Sequence, residues 1–83
     1  MLATIHVPAM LKRLFNSLDE VQARGETIGQ VMSHLEEQFP GVEERLNTVI
    51  ILLDGRDVQS LQGLETPVNN GNEIRIIPLM AGG

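Results

Sequence analysis

The chain has 83 residues, of which 42% are hydrophobic, and a formal net charge of −5 at pH 7. This length fits one small domain, and the hydrophobic share is that of a folded globular protein rather than a disordered chain. The absence of cysteine excludes disulfides and zinc–thiolate sites, and six dispersed basic residues with only two aromatic residues argue against nucleic-acid binding.

The first part of the chain predicts two short strands. Apolar and polar residues alternate in Leu2–Val7, which indicates a strand that Pro8 ends. A second alternating stretch, Asp19–Ala23, precedes a turn at Arg24–Glu26. Between the two strands, residues 9–18 have an apolar spacing that fits either a helical turn or a packed loop, and the sequence leaves both open.

One amphipathic helix is predicted to begin after Thr27. Thr27 is a favourable N-cap residue, and Gln30 has the spacing of a capping box, in which its side chain bonds back to the cap amide. Pro40-Gly41 ends the helix, and a second short helical turn is expected over residues 42–46. The apolar stripe of the predicted helix comprises Ile28, Val31, Met32, Leu35 and Phe39.

The second half of the chain predicts three more strands. Thr48–Leu53 is apolar on both faces, Asp54-Gly55 has the residues of a hairpin turn, and Arg56–Val58 is expected to return antiparallel to it. A compact loop with a turn or two is expected next. After a turn at Asn69–Asn72, the stretch Glu73–Pro78 is predicted as the last strand.

This order of elements indicates an α+β fold: a mixed sheet of four to five strands wrapped on one main helix, with a short second helical turn. The order is compatible with a β-grasp, the ubiquitin-like roll, although periodicity alone also permits other small α+β sheets. We expect residues 1–78 to form this single domain and residues 79–83 to form a flexible C-terminal Gly-Gly tail.

The third predicted strand has more apolar surface than one helix can cover. Its two faces carry Val49, Ile51 and Leu53 on one side and Ile50 and Leu52 on the other. One set should therefore stay partly open, joined by Ile77, and an exposed apolar patch of this kind usually marks an interaction surface. The alternative is that residues 9–18 or 59–68 fold over it.

The last two residues, Gly82 and Gly83, have a specific chemical use. Glycine has no Cβ, so this pair can pass through a channel too narrow for side chains and deliver a carboxylate to another protein's active site. ATP can convert that carboxylate to an acyl-adenylate, and a sulfur nucleophile can then displace AMP to leave a thiocarboxylate. A frayed chain end is the alternative interpretation.

We predict no catalytic residue, metal site or bound cofactor in the chain itself, and therefore no independent enzyme. His6 and His34 are isolated histidines without accompanying cysteine, whereas a metal or catalytic site needs several converging groups. The adjacent acidic pairs Glu36-Glu37 and Glu43-Glu44 are expected to be solvated. Because Val49–Leu53 is far too short to span a bilayer and no signal peptide is evident, we expect a cytoplasmic protein without a membrane partner.

Several segments resemble the MoaD/ThiS family of sulfur carrier proteins. They are Gly25–Val31 at the start of the helix, Asn70–Glu73 at the last turn and, most specifically, Ile77–Gly83 with its terminal Ala-Gly-Gly. Within that family the similarity is greatest to the CysO type, through Val7–Lys12 and Gly41–Leu46.

The resemblance implies a β-grasp fold and a partner enzyme of the ubiquitin-activating-like MoeB/ThiF type, which consumes ATP to adenylate Gly83. The resulting thiocarboxylate would donate sulfur to a pyridoxal-phosphate-dependent synthase for cysteine synthesis. Ala81 and Gly82 would thread into the partner's active site, and the expected docking residues are Met80, Leu79, Ile77, Ile50 and Leu52. A molybdopterin-synthase small subunit and a thiamine carrier are alternatives within the family. A ubiquitin-like binding module or protein modifier is the alternative of another class.

Overall fold

The computed structural model describes residues 1–79. Five strands form one mixed sheet in the order β2-β1-β5-β3-β4, and one helix, α1 (Ile28–Gln38), packs against it. The strands are β1 (Leu2–His6), β2 (Glu20–Arg24), β3 (Val49–Leu53), β4 (Arg56–Asp57) and β5 (Glu73–Pro78). The central strands β1 and β5 run parallel, and the other neighbours are antiparallel. The predicted α+β architecture is therefore confirmed.

The core lies between one face of the sheet and α1, because apolar residues alternate along the strands with period two. The predicted helical stripe is confirmed, since all five of its residues are buried. The residues that β1, β2, β3 and β5 turn toward the helix are Ala3, Ile5, Val21, Ala23, Ile51, Leu53, Ile74 and Ile76.

The helix begins as predicted at Thr27, whose hydroxyl oxygen accepts a hydrogen bond from the Gln30 amide at 3.2 Å. The reciprocal bond has a different donor: the side-chain oxygen of Gln30 accepts from the Glu26 amide at 2.9 Å, not from the cap residue. Residues 66–68 pair alongside this entry, with Thr27 opposite Pro67. That pairing fixes the direction of the incoming chain and leaves the Glu26 amide within reach of Gln30.

Within residues 9–18, for which the sequence allowed either a helical turn or a packed loop, Ala9–Phe15 folds as a 3₁₀ helix. Phe15 is fully buried, and its ring centroid lies 5.0 Å from that of Phe39 after α1. The chain then reverses through Asn16 and Ser17, both with left-handed φ angles of 55° and 64°. The segment therefore covers the end of the inner core and does not fold over the other face of the sheet.

Three further short 3₁₀ segments, Glu43–Thr48, Val58–Ser60 and Gly63–Glu65, correspond to the predicted helical turn and compact loop. The hairpin at Asp54-Gly55 has φ angles of 48° and 87°, both left-handed as a two-residue hairpin turn requires. Strand bounds differ from the predicted ones by one residue at β1, β2, β3 and β4. These shifts are of the size expected for the ends of short elements.

Candidate functional site

The second face of the sheet, which we call the outer face, carries the apolar residues predicted for docking. Ile50 on β3 lies directly opposite Ile77 on β5. Ile50 and Leu52 are half-buried and Ile77 is 41% exposed, whereas Ile51 and Leu53 on the other side of β3 are buried. The open face of β3 is therefore that of Ile50 and Leu52, which the sequence alone did not decide.

Leu79, which we call the stem of the predicted tail, is continuous with this face. The Leu79 amide donates a hydrogen bond to the Thr48 carbonyl oxygen at 2.8 Å, so the hydrogen bonding between β5 and β3 extends one residue past Pro78. The Leu79 side chain is 50% exposed. We call Ile50, Leu52, Ile77 and Leu79 the outer patch.

A groove of about 290 Å³ adjoins the outer patch, and Ile50 and Leu79 both line it. It lies beside the first half of β3, because β4 pairs only with Leu52 and Leu53. The remaining predicted site residues, Met80, Ala81, Gly82 and Gly83, lie outside the described residues. Their roles and the predicted flexibility of the tail stay predictions.

The outer face also has a polar half, which borders β1 and β2. His6 lies between two carboxylates, with Nε2 2.7 Å from Glu73 Oε1 and Nδ1 3.8 Å from Glu20 Oε2. Arg75 stands between this polar group and Leu52, since it is the Cα partner of both His6 and Leu52. The alternation in Glu73–Pro78 already places Arg75 on the face of Ile77, whereas the docking residues predicted from the sequence are all apolar.

His34 has a structural role, as the sequence allowed, but the sequence did not indicate its partner. Its Nδ1 accepts a hydrogen bond from the backbone amide of Arg24 at 2.8 Å, so the ring ties α1 to the edge strand β2. That bond satisfies an amide of an edge strand, which would otherwise be open to pairing with another chain. Because the contact joins residues on different elements, helical spacing alone could not reveal it.

Glu36 also differs from its prediction as a solvated residue. Its carboxylate accepts hydrogen bonds from the backbone amides of Glu43 at 2.9 Å and Gly41 at 3.0 Å. These bonds stabilise the charged form, and they hold the pKa of Glu36 below its ordinary value, with the Glu43 amide the largest cause. Glu36 therefore joins the end of α1 to the start of the 3₁₀ segment Glu43–Thr48.

Two other functional classes find no support in the part of the chain that the structure describes. Within residues 1–79, no three or more histidine or acidic side chains are arranged to hold a metal ion. No helix in this range combines the length and apolarity that crossing a bilayer requires. The outer patch, which includes Leu79 next to the predicted tail, is the candidate site.

Known proteins resemble this chain in both sequence and backbone structure. The sulfur carrier protein CysO of Mycobacterium tuberculosis is 32% identical over 90 aligned residues, which cover 96% of this chain and 97% of the relative. A crystal structure of that CysO has a TM-score of 0.88 at 30% identity, covering 93% of this chain and 98% of the other. These likenesses confirm the predicted β-grasp fold and the resemblance to the CysO type.

Two further similarities come from other organisms. A chain in the crystal structure of the Amycolatopsis orientalis BexX/CysO complex has a TM-score of 0.90 at 26% identity, covering 98% of this chain and 99% of its own length. Small archaeal modifier protein 3 of Haloferax volcanii is 33% identical over 64 aligned residues, which cover 69% of this chain and 70% of that protein. The model of the ThiS family matches residues 5–83. Since this match takes in nearly all of the sequence, the chain belongs to the ThiS family.

Proposed function

We propose that this chain is a sulfur carrier of the CysO type. A ThiF-type enzyme joins the Gly83 carboxylate to the AMP part of ATP with release of pyrophosphate. A sulfur nucleophile then attacks the acyl carbon, AMP leaves, and the thiocarboxylate that results donates its sulfur in cysteine synthesis. The observation that carries the proposal is the 32% identity to a sulfur carrier over 96% of the chain.

The chain itself needs no acid, base or nucleophile for these steps, because the ThiF-type enzyme and the synthase that accepts the sulfur supply them. Its own contribution is to bind the enzymes and to present the tail. Four residues follow Leu79 in the sequence, so Gly83 can reach at most about 14 Å from the stem. An enzyme that receives Gly83 must therefore lie close to Leu79 and the outer patch.

Intact-mass spectrometry tests the carrier chemistry. After incubation with the ThiF-type enzyme of the source genome, ATP and a sulfide source, we expect a gain equal to the replacement of one oxygen by sulfur. A variant lacking Gly83 should show no gain and should unfold at the wild-type temperature. The proposal would be contradicted if the wild-type chain gained no sulfur. It would also be contradicted if the variant lacking Gly83 supported the growth of cells in place of the wild-type chain. Either result would favour a binding module without chemistry.

The acceptor of the sulfur is proposed to be a pyridoxal-phosphate-dependent synthase. The BexX/CysO complex supports the general idea that a carrier of this type docks on a partner protein. Copurification with the thiocarboxylated chain tests the identity of the acceptor. A molybdopterin-synthase large subunit or a thiazole synthase in place of a pyridoxal-phosphate enzyme would assign the chain to one of the two alternative pathways.

Since ATP is consumed, we propose a cytoplasmic location, which cell fractionation checks.

A second candidate function, protein modification, is favoured by the similarity to small archaeal modifier protein 3. In this function the activated Gly83 carboxylate would form an amide with a lysine of another protein. Immunoblots of cell lysate would then show conjugates heavier than the free chain that disappear when Gly83 is deleted. A lysate with the free chain alone would support the carrier function.

A further inference from the structure

Arg75 lies in the middle of a row of side chains that crosses the whole outer face. Residues directly opposite one another on neighbouring strands project from the same face of a sheet. From β2 to β4 this row consists of Glu20, His6, Arg75, Leu52 and Asp57. Arg75 is exposed, and the next row toward the tail is the apolar pair Ile50 and Ile77.

Two carboxylates near Arg75 in the sheet, those of Glu73 and Asp57, have other partners. Glu73 precedes it by two residues on the same face, but Glu73 Oε1 lies 2.7 Å from His6 Nε2. Asp57 accepts a hydrogen bond from the Gln59 amide at 2.8 Å. Among residues 1–79, no carboxylate oxygen lies within salt-bridge distance of the Arg75 guanidinium. The outer face thus presents a cation at the border of an apolar patch.

A partner that covers the outer patch must also cover this guanidinium. Burying an arginine against apolar surface alone is costly, because the group loses hydration without gaining an ion pair or hydrogen bonds. A carboxylate removes that cost, since its two oxygens match the guanidinium fork in a bidentate pair. The surface therefore fits an apolar patch that contains an aspartate or glutamate.

We infer that Arg75 pairs with a carboxylate of the enzyme that adenylates Gly83 when that enzyme covers the outer patch. This inference rests on the proposed function, since it assumes that such an enzyme acts on the chain. Gly83 reaches at most about 14 Å from Leu79, and Arg75 lies about 13 Å from Leu79 along β5. One enzyme can therefore contact Arg75 and receive Gly83 at the same time. The overall charge of −5 alone would instead indicate a basic partner surface.

Calorimetric titration of the ThiF-type enzyme without ATP tests this contact separately from the chemistry. We expect Arg75→Glu to raise Kd at least about tenfold, because it places two carboxylates together. Arg75→Lys should have an intermediate effect, since an ammonium cannot form the bidentate pair. With ATP and sulfide present, Arg75→Glu should raise KM for the carrier and leave kcat unchanged, because Gly83 is unaltered.

Arg56→Glu is the matched control. Arg56 is exposed and lies directly opposite the inward-facing Leu53, so it stands on the other side of the sheet, and the change in net charge is the same. We expect its Kd to stay within about twofold of wild type. Both variants should unfold at the wild-type temperature.

Equal affinities of wild type and Arg75→Glu, or equal losses in Arg75→Glu and Arg56→Glu, would overturn the docking inference. Neither result bears on sulfur transfer, which the mass gain of the wild-type chain reports. The wild-type chain could gain no sulfur and yet bind the ThiF-type enzyme, with binding weakened by Arg75→Glu and not by Arg56→Glu. In that case the proposed function fails and the docking surface stands.

Discussion

Glu36 shows what a single carboxylate can do where two elements meet. It lies near the end of α1, and it accepts hydrogen bonds from amides that follow the Pro40-Gly41 break. Gly41 takes a φ of 108° there, a left-handed conformation that other residues adopt only with strain. The amides of Gly41 and Glu43 consequently share one carboxylate as their acceptor and no longer depend on water.

We predict that Glu36→Gln lowers stability and weakens its dependence on acid. The folded state lowers the pKa of Glu36 below its ordinary value of 4.5, so the stabilisation is present above that pH and is lost as the pH falls through the lower folded value. The substituted glutamine side chain keeps the shape but loses the charge. Urea unfolding at neutral pH and at successive pH values below 4.5 measures the difference.

The neighbouring substitution Glu37→Gln is the control, because Glu37 is exposed on α1 and its side chain makes no hydrogen bond within residues 1–79. It should leave the unfolding free energy close to wild type at each pH. If the two variants lose stability equally, the amide contacts of Glu36 are not the cause.

At the level of elements, the 3₁₀ segment Ala9–Phe15 completes the inner core. Its partly buried Leu11 and Leu14 pack on the core, and Phe15 inserts beside Phe39. The sequence could not fix its conformation, because apolar residues spaced three and four apart fit a 3₁₀ turn, an α-helical turn or a packed loop. Contact with the core decides the matter.

We expect Phe15→Ala to destabilise the fold by about 3–5 kcal/mol, because Phe15 has no exposed surface and its removal leaves a cavity. Met10→Ala in the same segment should cost less than about 0.5 kcal/mol, since Met10 is 72% exposed. Thermal unfolding of the two variants makes the comparison. Similar losses would show that the segment packs less firmly than the contact between Phe15 and Phe39 implies.

On the scale of the whole molecule, the sheet has one face buried under the helix and one face that is partly exposed. Ile76 and Ile77 are neighbours of the same residue type, yet Ile76 is 5% exposed on the inner face and Ile77 is 41% exposed on the outer face. Ile76→Ala should therefore cost about 2–5 kcal/mol of stability.

Ile77→Ala should change stability by less than about 1 kcal/mol and should weaken binding to the adenylating enzyme. Chemical denaturation and titration of both variants separate the two roles. Unchanged enzyme binding by Ile77→Ala would remove Ile77 from the docking surface.

Period-two and period-3.6 patterns were enough to predict the order of strands and helix along the chain and the buried stripe of the helix. They could not decide which face of β3 stays open, because Ile50 and Ile51 are equally apolar and the choice depends on where α1 packs. Bonds across elements, such as His34 to Arg24, depend on proximity that no local pattern records. The chemistry proposed for Gly83 rests on the sequence and on similarity to the family, and Gly83 itself lies outside the described residues.

The parallel pairing of β1 with β5 has a practical consequence for experiments on this protein. Thr4 is level with Glu73 and His6 with Arg75, so Leu2 and Leu79 lie toward opposite ends of the sheet. At the rise of a strand, about 26 Å separates the levels of these two residues. An affinity tag, a fluorophore or a surface anchor attached ahead of Leu2 would therefore sit far from Leu79, and the protein could be immobilised through that end without covering Leu79.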